Sequence, residues 1–572
     1  MTDFRIEKLP FDSEAISTWQ KADSVHSNWP VVYTISGSNE IYIGETVNAG
    51  SRLNQHLSTP QRKHLKRVQI ILNEKFNKSV CLDLESHLIR YFAADEKFKV
   101  LNGNHGITEA DYFQREEYRK SFDELFEELY KEGWLTRRVP EIVNSNLFKY
   151  SPFKALNTDQ AVALNGILER LVGNLERSDS TELVIQGDPG TGKTIVAIYL
   201  VKLLRDIALH LPDEIAGEDS VFSEYFTPIN RDLLSGFRIG LVIPQQSLRK
   251  TVQDVFAKIP GLDKKMILSP FDVGNDLGYW DLLIVDEAHR LGIRANQSSG
   301  MQNKQFRDIN VRLFEEDRSD ITQLDWIRKQ ARNRILLIDS AQSIRPADLP
   351  KMQVEALEQK AVSAGNLFKL VSQMRVQGGG DYIEFVQKLL SDKPEPAGNF
   401  GDYDLRFFES FAQMHSELKK RDEEFGLARL LAGYAWEWVS KDDKSRYDIE
   451  IEGLKFHWNR TAIDWVSSKT SSDEVGSIHT IQGYDLNYAG VIIGSDLGYD
   501  EAAGRITFNR DNYYDKKGRE NNDRLGIKYS DEDIRQYALN IYRVLLTRGI
   551  KGTYVYVVDA QLRNHLQAFF AN

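Results

Sequence analysis

Cysteine is nearly absent: the 572 residues hold one, Cys81. A single thiol excludes an internal disulfide framework and any cysteine-rich zinc site, so metal chemistry falls to oxygen ligands and the composition suits a reducing compartment. No apolar run approaches the roughly 20 residues that span a bilayer. The opening stretch MTDFRIEKLPFDSE has neither the basic start nor the apolar core of an export signal. These absences predict a cytoplasmic protein with no membrane partner. Positive charge is not in excess either. The formal charge of −11 argues against a chain that coats nucleic acid with its whole surface, and it leaves room for a basic groove. There is no internal repeat and no low-complexity tract.

What is present is length and alternation. Cores stop growing at about 250 to 300 residues, so a chain of this size divides, and three structural units are expected. Up to about residue 105 the sequence reads as short strands and helices. EADYFQREEYRKSFDELFEELYKEGW then reads as a charged, solvated helical connector. From about residue 155 apolar strands alternate with helices: ELVIQG, RIGLVIP, DLLIVDE, RILLIDS, LFKLV, LRFFE, GVIIG and TYVYVV. That texture predicts two parallel sheets covered on both faces, an α/β fold. Polar insertions at 211–237, 291–333 and 504–536 read as long loops.

The strongest local signal is VIQGDPGTGKT, which ends a buried strand and opens a helix. Its spacing puts Gly187, Asp188, Pro189, Gly190, Thr191 and Gly192 in a loop whose backbone N–H groups curl around phosphate. Lys193 supplies a cation to the terminal phosphates, and the Thr194 hydroxyl is a magnesium ligand. The strand DLLIVDE ends in Asp286, a metal-holding carboxylate, and Glu287, which orients or deprotonates the attacking water. Two acids after a strand also suit a helix N-cap, but the loop upstream favours nucleotide chemistry.

With these motifs on the page, residues from about 155 onward resemble a superfamily 1 helicase or translocase core, specifically the Schlafen-type bacterial helicase domain. LNTDQAVAL resembles the adenine-reading segment, implying a base contact for Gln160. LVIPQQSLRKTV resembles motif Ia and LLIDSAQSI motif III, with Asp339 and Gln342 coupling nucleotide state to strand contact. LVSQMR resembles motif IV, SIHTIQGYDLNYAGVIIG motif V, and YRVLLTRGIKGTYVYV motif VI. The resemblance implies that Arg375 and Arg548 reach the γ-phosphate as arginine fingers. It also implies that His479, Gln482 and Gly483 link strand binding to the nucleotide. The 504–536 insertion departs from generic helicases.

At the other end, VVYTISGSNEIYIGET places two tyrosines around Gly37-Ser38. A two-residue turn there predicts a hairpin in which Ile35 faces Glu40 and Tyr33 faces Tyr42, which also suits a packed aromatic pair. SVCLDLESHLIRYF has an apolar stripe at Cys81, Leu82, Leu88, Ile89 and Phe92, interrupted by Glu85, a carboxylate that is costly there unless paired or holding a cation. SRLNQHL sets Arg52 and His56 one helical turn apart. QRKHLKRVQI supplies a basic run suited to a phosphate track.

Over about residues 28 to 105 this constellation resembles the GIY-YIG nuclease family. Tyr33 ends the first motif, which here reads VVY, and Tyr42-Ile43-Gly44 matches the second. The resemblance implies that Tyr42 or Tyr33 helps activate water, Arg52 clamps phosphate, His56 belongs to the same site and Glu85 carries one divalent metal. Asn102 or Asn104 matches the asparagine near that domain's end.

The expected architecture is therefore a small nuclease domain (1–108), a helical connector (109–154) and two RecA-like P-loop NTPase domains (155–363 and 364–572). The expected activity is ATP-driven translocation or unwinding coupled to Mg2+- or Mn2+-dependent endonucleolytic cleavage, with defence against foreign DNA as the setting. DNA is the favoured partner. An RNA-directed enzyme, or an ATP-controlled switch with an inactive nuclease fold, are the alternatives.

Overall fold

The computed structural model describes residues 4–102, 112–153, 156–209, 222–294, 300–339, 346–373, 376–461, 465–481, 484–516, 518–521 and 526–570. Packing divides the chain into two compact units. One comprises Met1–Arg177, Thr194–Phe237 and Asp254–Lys264; the other comprises Ser178–Lys193, Arg238–Gln253 and Lys265–Asn572. Among the described residues no helix is long and apolar enough to cross a membrane.

The first unit holds a five-stranded sheet of β1 (Arg5–Pro10), β2 (Val31–Ser36), β3 (Glu40–Thr46), β4 (Arg67–Leu72) and β5 (Lys99–Val100), in the order β1-β4-β2-β3-β5. One face buries Val31, Tyr33, Ile35, Tyr42, Val68 and Ile70 against Ile16 and Leu53 of the helices Ser13–Ala22 and Ala49–Ser58. The helix Lys78–Asp95 packs against β3. Asparagine side chains start two of these helices, Asn48 accepting from Ser51 N at 3.1 Å and Asn77 from Val80 N at 3.1 Å.

Two local expectations are corrected here. The two-residue turn is Ser38-Asn39 and not Gly37-Ser38, closed by Gly37 N donating to Glu40 O at 2.9 Å, so Tyr33 pairs with Gly44 and Ile35 with Tyr42. The shift is two residues, and side chains alternate with period two, so both tyrosines stay on one face, now diagonal to each other. Leu82 is exposed, and the buried side of its helix is instead built from Val80, Cys81, Leu84, Leu88, Ile89 and Phe92. The connector helix Arg115–Lys131 buries Phe122, Leu125, Phe126 and Leu129, and Asp83 accepts from Tyr112 Oη at 2.8 Å and Arg119 Nε at 3.2 Å. Its apolar stripe packs, and its charged face, with Glu116, Glu117, Asp123 and Glu124 exposed, stays in water as the sequence implies.

The second unit holds two parallel sheets. The first comprises β6 (Glu182–Gly187), β7 (Ile239–Val242), β8 (Ile267–Leu268), β9 (Trp280–Val285), β10 (Ala331–Ile338) and β11 (Leu367–Leu370), in the order β11-β6-β10-β9-β7-β8 with every pair parallel. Strands β12 (Asp404–Phe407), β13 (Ala428–Ala432), β14 (Ile449–Ile451), β15 (Leu454–Trp458), β16 (Glu474–Gly476) and β17 (Leu486–Ile493) follow. A separate hairpin pairs β18 (Leu497–Asp500) with β19 (Arg505–Phe508), and β20 (Gly549–Val557) closes the second sheet. Its order is β12-β20-β17-β13-β16-β15-β14, parallel except for β14.

All eight apolar runs named above are strands. The 291–333 insertion is not a loop. Its helices Gly300–Phe314 and Gln323–Gln330 close over a small core of Phe306, Ile309, Ile321 and Trp326.

Candidate functional site

The carboxyl edge of the first sheet collects the nucleotide motifs, where open α/β sheets bind ligands. The loop after β6 turns through Gly190 (φ +88°) and Gly192 (φ +83°), both in the left-handed region that favours glycine. Lys193 is buried, and its Nζ donates to Gly187 O at 2.6 Å, Asp188 O at 3.1 Å and Asp339 Oδ2 at 3.4 Å. Thr191 Oγ1 donates to Asp188 O at 2.9 Å. Gln373, just after β11, donates from Nε2 to Pro189 O at 2.7 Å, and a Cβ on Gly190 would meet its carboxamide at 2.0 Å. Thr194 follows directly in the helix Lys193–Leu209.

Asp286 and Glu287 follow β9. Asp286 is fully buried, and its Oδ1 accepts from Glu287 N at 3.0 Å. Glu287 has a left-handed backbone (φ +49°), and its carboxylate receives Arg290 Nε at 2.8 Å with His289 Nε2 at 3.3 Å. Burial alone would raise its pKa. The neighbouring His289, Arg290 and Lys193 instead hold it well below the ordinary carboxylate range. His289 Nδ1 accepts from Asp339 N at 3.1 Å, which ties the ends of β9 and β10 together.

These features fit a magnesium nucleotide: a buried cation held by backbone oxygens, a left-handed glycine loop and a buried carboxylate across from it. Gln160 caps the helix Thr158–Glu176 reciprocally with Asn157, its Oε1 accepting from Asn157 N at 3.2 Å. Gln342, Arg375, Gln482, Gly483 and Asn104 lie outside the described residues.

Arg548 precedes β20 and is buried, and its NH1 donates to Tyr484 O at 3.5 Å. Tyr484 Oη pairs with Thr251 Oγ1 at 2.5 Å. The backbone oxygen of His479 accepts from Gln245 Nε2 at 3.1 Å and Ser247 Oγ at 3.5 Å. The segments resembling motifs Ia, V and VI are therefore joined by hydrogen bonds.

In the first unit, a second site forms around Tyr33. This fully buried tyrosine pairs through Oη with His56 Nε2 at 2.7 Å. Arg62 NH1 donates to His56 Nδ1, so the imidazole carries its proton on Nε2 and donates it to Tyr33 Oη. Burial, then Arg62 and Arg52, push the His56 pKa down to about 2 and keep the ring neutral.

The Arg62 guanidinium also lies 3.8 Å from the centroid of the Tyr42 ring, and the Tyr42 and His56 rings meet edge-on at 4.8 Å. Burial raises the Tyr33 phenol, Arg52 opposes it through charge and a hydrogen bond, and Glu85 adds to the rise. Tyr33, Tyr42, Arg52, His56 and Glu85 thus share one electrostatic neighbourhood.

Gly44 is required by this geometry, because a Cβ there would sit 2.4 Å from Tyr33 Oη. Asn102 holds β3 by its backbone, accepting from Ile43 N at 3.0 Å and donating to Ile43 O at 2.7 Å. Among the described residues no group of three or more His, Cys, Asp or Glu is placed to hold a metal.

Three residues of these sites went unassigned in the sequence. Arg62 lies in the basic run read as a phosphate track, Gln373 stands two positions before Arg375, and His289 follows Glu287 by two. Each was visible as a polar residue inside a named motif, and only the fold gives it a partner.

Residues 180–559, more than half of the chain, match the family described as "Schlafen group 3, DNA/RNA helicase domain". The uncharacterized protein YPL245W of Saccharomyces cerevisiae is 26% identical over 453 residues, spanning 75% of this chain and 94% of the yeast protein. An ORC1-type DNA replication protein of Thermoplasma acidophilum is 28% identical over 96 residues, 17% of this chain and 24% of that protein. Two crystal structures of Bacteroides Pif1, one with ADP-AlF3 and ssDNA and one bound to ssDNA, are 10% and 9% identical to this chain. They cover 69% and 71% of it and 92% and 93% of their own chains, with TM-scores of 0.23 and 0.26, too loose a likeness to add to the fold described above. The chain belongs to the Schlafen group 3 DNA/RNA helicase domain family.

Proposed function

We propose that this helicase-family chain is an ATP-driven nucleic-acid translocase or helicase that carries a metal-dependent endonuclease in residues 1–108, with two RecA-like ATPase domains at 155–363 and 364–572. The observation that carries the nuclease half is the Tyr33–His56–Arg62–Tyr42 cluster, with Arg52 and Glu85 acting on the same phenol. Phosphodiester hydrolysis needs a cation on the phosphate, a proton acceptor for water and charge neutralisation at the leaving oxygen.

In this reading Arg52 clamps the scissile phosphate and Glu85 holds Mg2+ or Mn2+, which supplies Lewis acidity when bound. His56 orients the Tyr33 hydroxyl. Because His56 Nε2 donates to Tyr33 Oη, the phenol's own proton points away from the imidazole, toward the space that Arg52 and Glu85 influence. Tyr33 or Tyr42 then takes the proton of the attacking water while passing its own hydroxyl proton to solvent, and solvent in turn protonates the leaving oxygen.

In the motor, Lys193 and Thr194 take the nucleotide phosphates and magnesium, and Asp286 holds the metal. Glu287, kept ionised by His289 and Arg290, orients the hydrolytic water. Gln160 reads the base, Gln342 and Gly483 line the nucleotide, and Arg375 and Arg548 serve as arginine fingers. DNA is the favoured substrate and defence against foreign DNA the expected setting.

The test is a panel of single- and double-stranded DNA and RNA, scored for stimulation of ATP hydrolysis and for cleavage in Mg2+ and in Mn2+. DNA stimulation with DNA cleavage supports the proposal. Stimulation and cleavage confined to RNA replace the substrate. Stimulation without cleavage of any strand under either metal reduces the first unit to a binding module.

A further inference from the structure

The 504–536 insertion has no role in the motor chemistry above, yet one of its side chains reaches the edge of the first parallel sheet. Tyr529 Oη donates to the backbone oxygen of Pro346, a buried residue, at 3.2 Å. From there the chain runs alongside the residues that follow β9. Ala347 O accepts from Ile293 N at 3.0 Å, Asp348 pairs antiparallel with Gly292, and Leu349 N donates to His289 O at 3.2 Å. His289 is the buried ring that stands 3.3 Å from the Glu287 carboxylate and accepts from Asp339 N. A single hydroxyl of the insertion therefore backs the stretch on which the proposed water-orienting carboxylate is set.

Tyr529 is itself firmly held. Its N–H donates to Asn521 Oδ1 at 3.0 Å, and its ring meets that of Tyr537 at 6.4 Å and 69°. Ser530, the next residue, opens the helix Asp531–Leu546 with a capping box shared with Asp533. The 16 residues of that helix span about 24 Å and lead to Arg548. One rigid element thus carries Tyr529 at its start and the proposed arginine finger at its end. Burial, then the Asp533 charge, raises the Tyr529 pKa, so the phenol stays protonated and remains a donor at neutral pH.

We propose that Tyr529 is a positioning residue for ATP hydrolysis: by holding residues 346–349 it seats His289, and through it the Glu287 carboxylate, to orient the attacking water. Two features select that role. The bond goes to a backbone oxygen, so it fixes the path of the main chain and not one neighbour's side chain. Residues 347–349 are joined to His289, Gly292 and Ile293, on the side of the hydrolytic carboxylate, so the bond bears on the chemical step and not on capture of the phosphates by Lys193. The seat is shared. Gln323 Oε1 accepts from Gly292 N at 2.7 Å and Gln323 N donates to Gly292 O at 2.9 Å, so loss of the Tyr529 bond loosens the seat without abolishing it. This role rests on the ATP-hydrolysing part of the proposed function and adds how the insertion enters that chemistry.

The experiment measures steady-state ATP hydrolysis by the full chain, Tyr529→Phe, His289→Ala, the double variant, and Tyr514→Phe at an exposed tyrosine of the same insertion, well below the melting temperature of each. Tyr529→Phe is expected to lower kcat about fivefold, the worth of one hydrogen bond, with the KM for ATP within twofold of the parent's. Tyr514→Phe matches the parent. In the His289→Ala background the Tyr529 change lowers kcat by less than twofold, because both substitutions act on one seat. His289→Asn takes the place of His289→Ala if the alanine variant does not fold. A Tyr529→Phe kcat within twofold of the parent's, a raised KM with kcat unchanged, or an undiminished loss in the His289 variant overturns the positioning role alone. A parent that hydrolyses no ATP overturns it together with the motor reading.

Discussion

In the loop after β6, seven consecutive residues do the work, Gly187 through Lys193, and much of it is done by backbone. Around Tyr33 the proposed nuclease residues are spread over β2, β3, the helices Ala49–Ser58 and Lys78–Asp95, and Arg62 between them. A phosphate cradle built from N–H groups and left-handed glycines is fixed by local sequence, because φ > 0 and close approach dictate residue type. A site built from side chains has no such local rule. Its members are recognisable only once strand register and helix phase have brought them together.

The two sites should therefore break differently, and the largest effects are catalytic. Lys193→Ala removes the one cation held by the loop oxygens and lowers steady-state ATP hydrolysis about 100-fold or more, read as phosphate release. Glu85→Gln lowers DNA cleavage by about 100-fold while ATP hydrolysis stays within twofold. A joint loss in either variant would merge two sites that we treat as separate.

Next come packing effects. Gly44→Ala pushes a Cβ into the Tyr33 ring and costs about 1–3 kcal/mol of stability, measured by urea denaturation. Tyr33→Phe leaves the ring in place and removes the buried partner of His56 Nε2, costing about 1–2 kcal/mol.

The smallest effect is a pH slope. His56 has its folded pKa depressed to about 2, so the unfolded chain binds the extra proton first as pH falls below its ordinary value near 6.5. Stability from this group is present above that value and declines as pH falls toward the folded pKa. His56→Gln should flatten that part of the stability-versus-pH curve between pH 7 and pH 4.

Much of the motor was legible. Parallel strands buried on both faces are written as continuous apolar runs, so ELVIQG, DLLIVDE and TYVYVV read directly as β6, β9 and β20. The strand Ala428–Ala432 escaped because its short run in GLARLLAGYAW has no period that separates a strand from a helix. The 291–333 segment looked like a loop because its buried apolar residues, Phe306, Ile309, Ile321, Trp326 and Ile327 among them, are scattered through a polar sequence.

The hairpin register differs by two because Gly37-Ser38 reads as the two-residue turn, while the bond from Gly37 N to Glu40 O centres it one residue later, on Ser38-Asn39. Of the cluster around the Tyr33 phenol, Tyr33, Tyr42, Arg52, His56 and Glu85 were named from spacing and resemblance. Arg62 was not, since its partners Tyr42 and His56 lie on two other elements.

The most direct test of the central claim is cleavage of circular duplex DNA in Mg2+ or Mn2+, with and without ATP, by the parent, Glu85→Ala and Lys193→Ala, with ATP hydrolysis measured on the same preparations. We expect nicking or linearisation by the parent, none by Glu85→Ala with its ATP hydrolysis intact, and no ATP hydrolysis by Lys193→Ala. Equal cleavage by the parent and Glu85→Ala, or none by a parent that hydrolyses ATP under either metal, would contradict it.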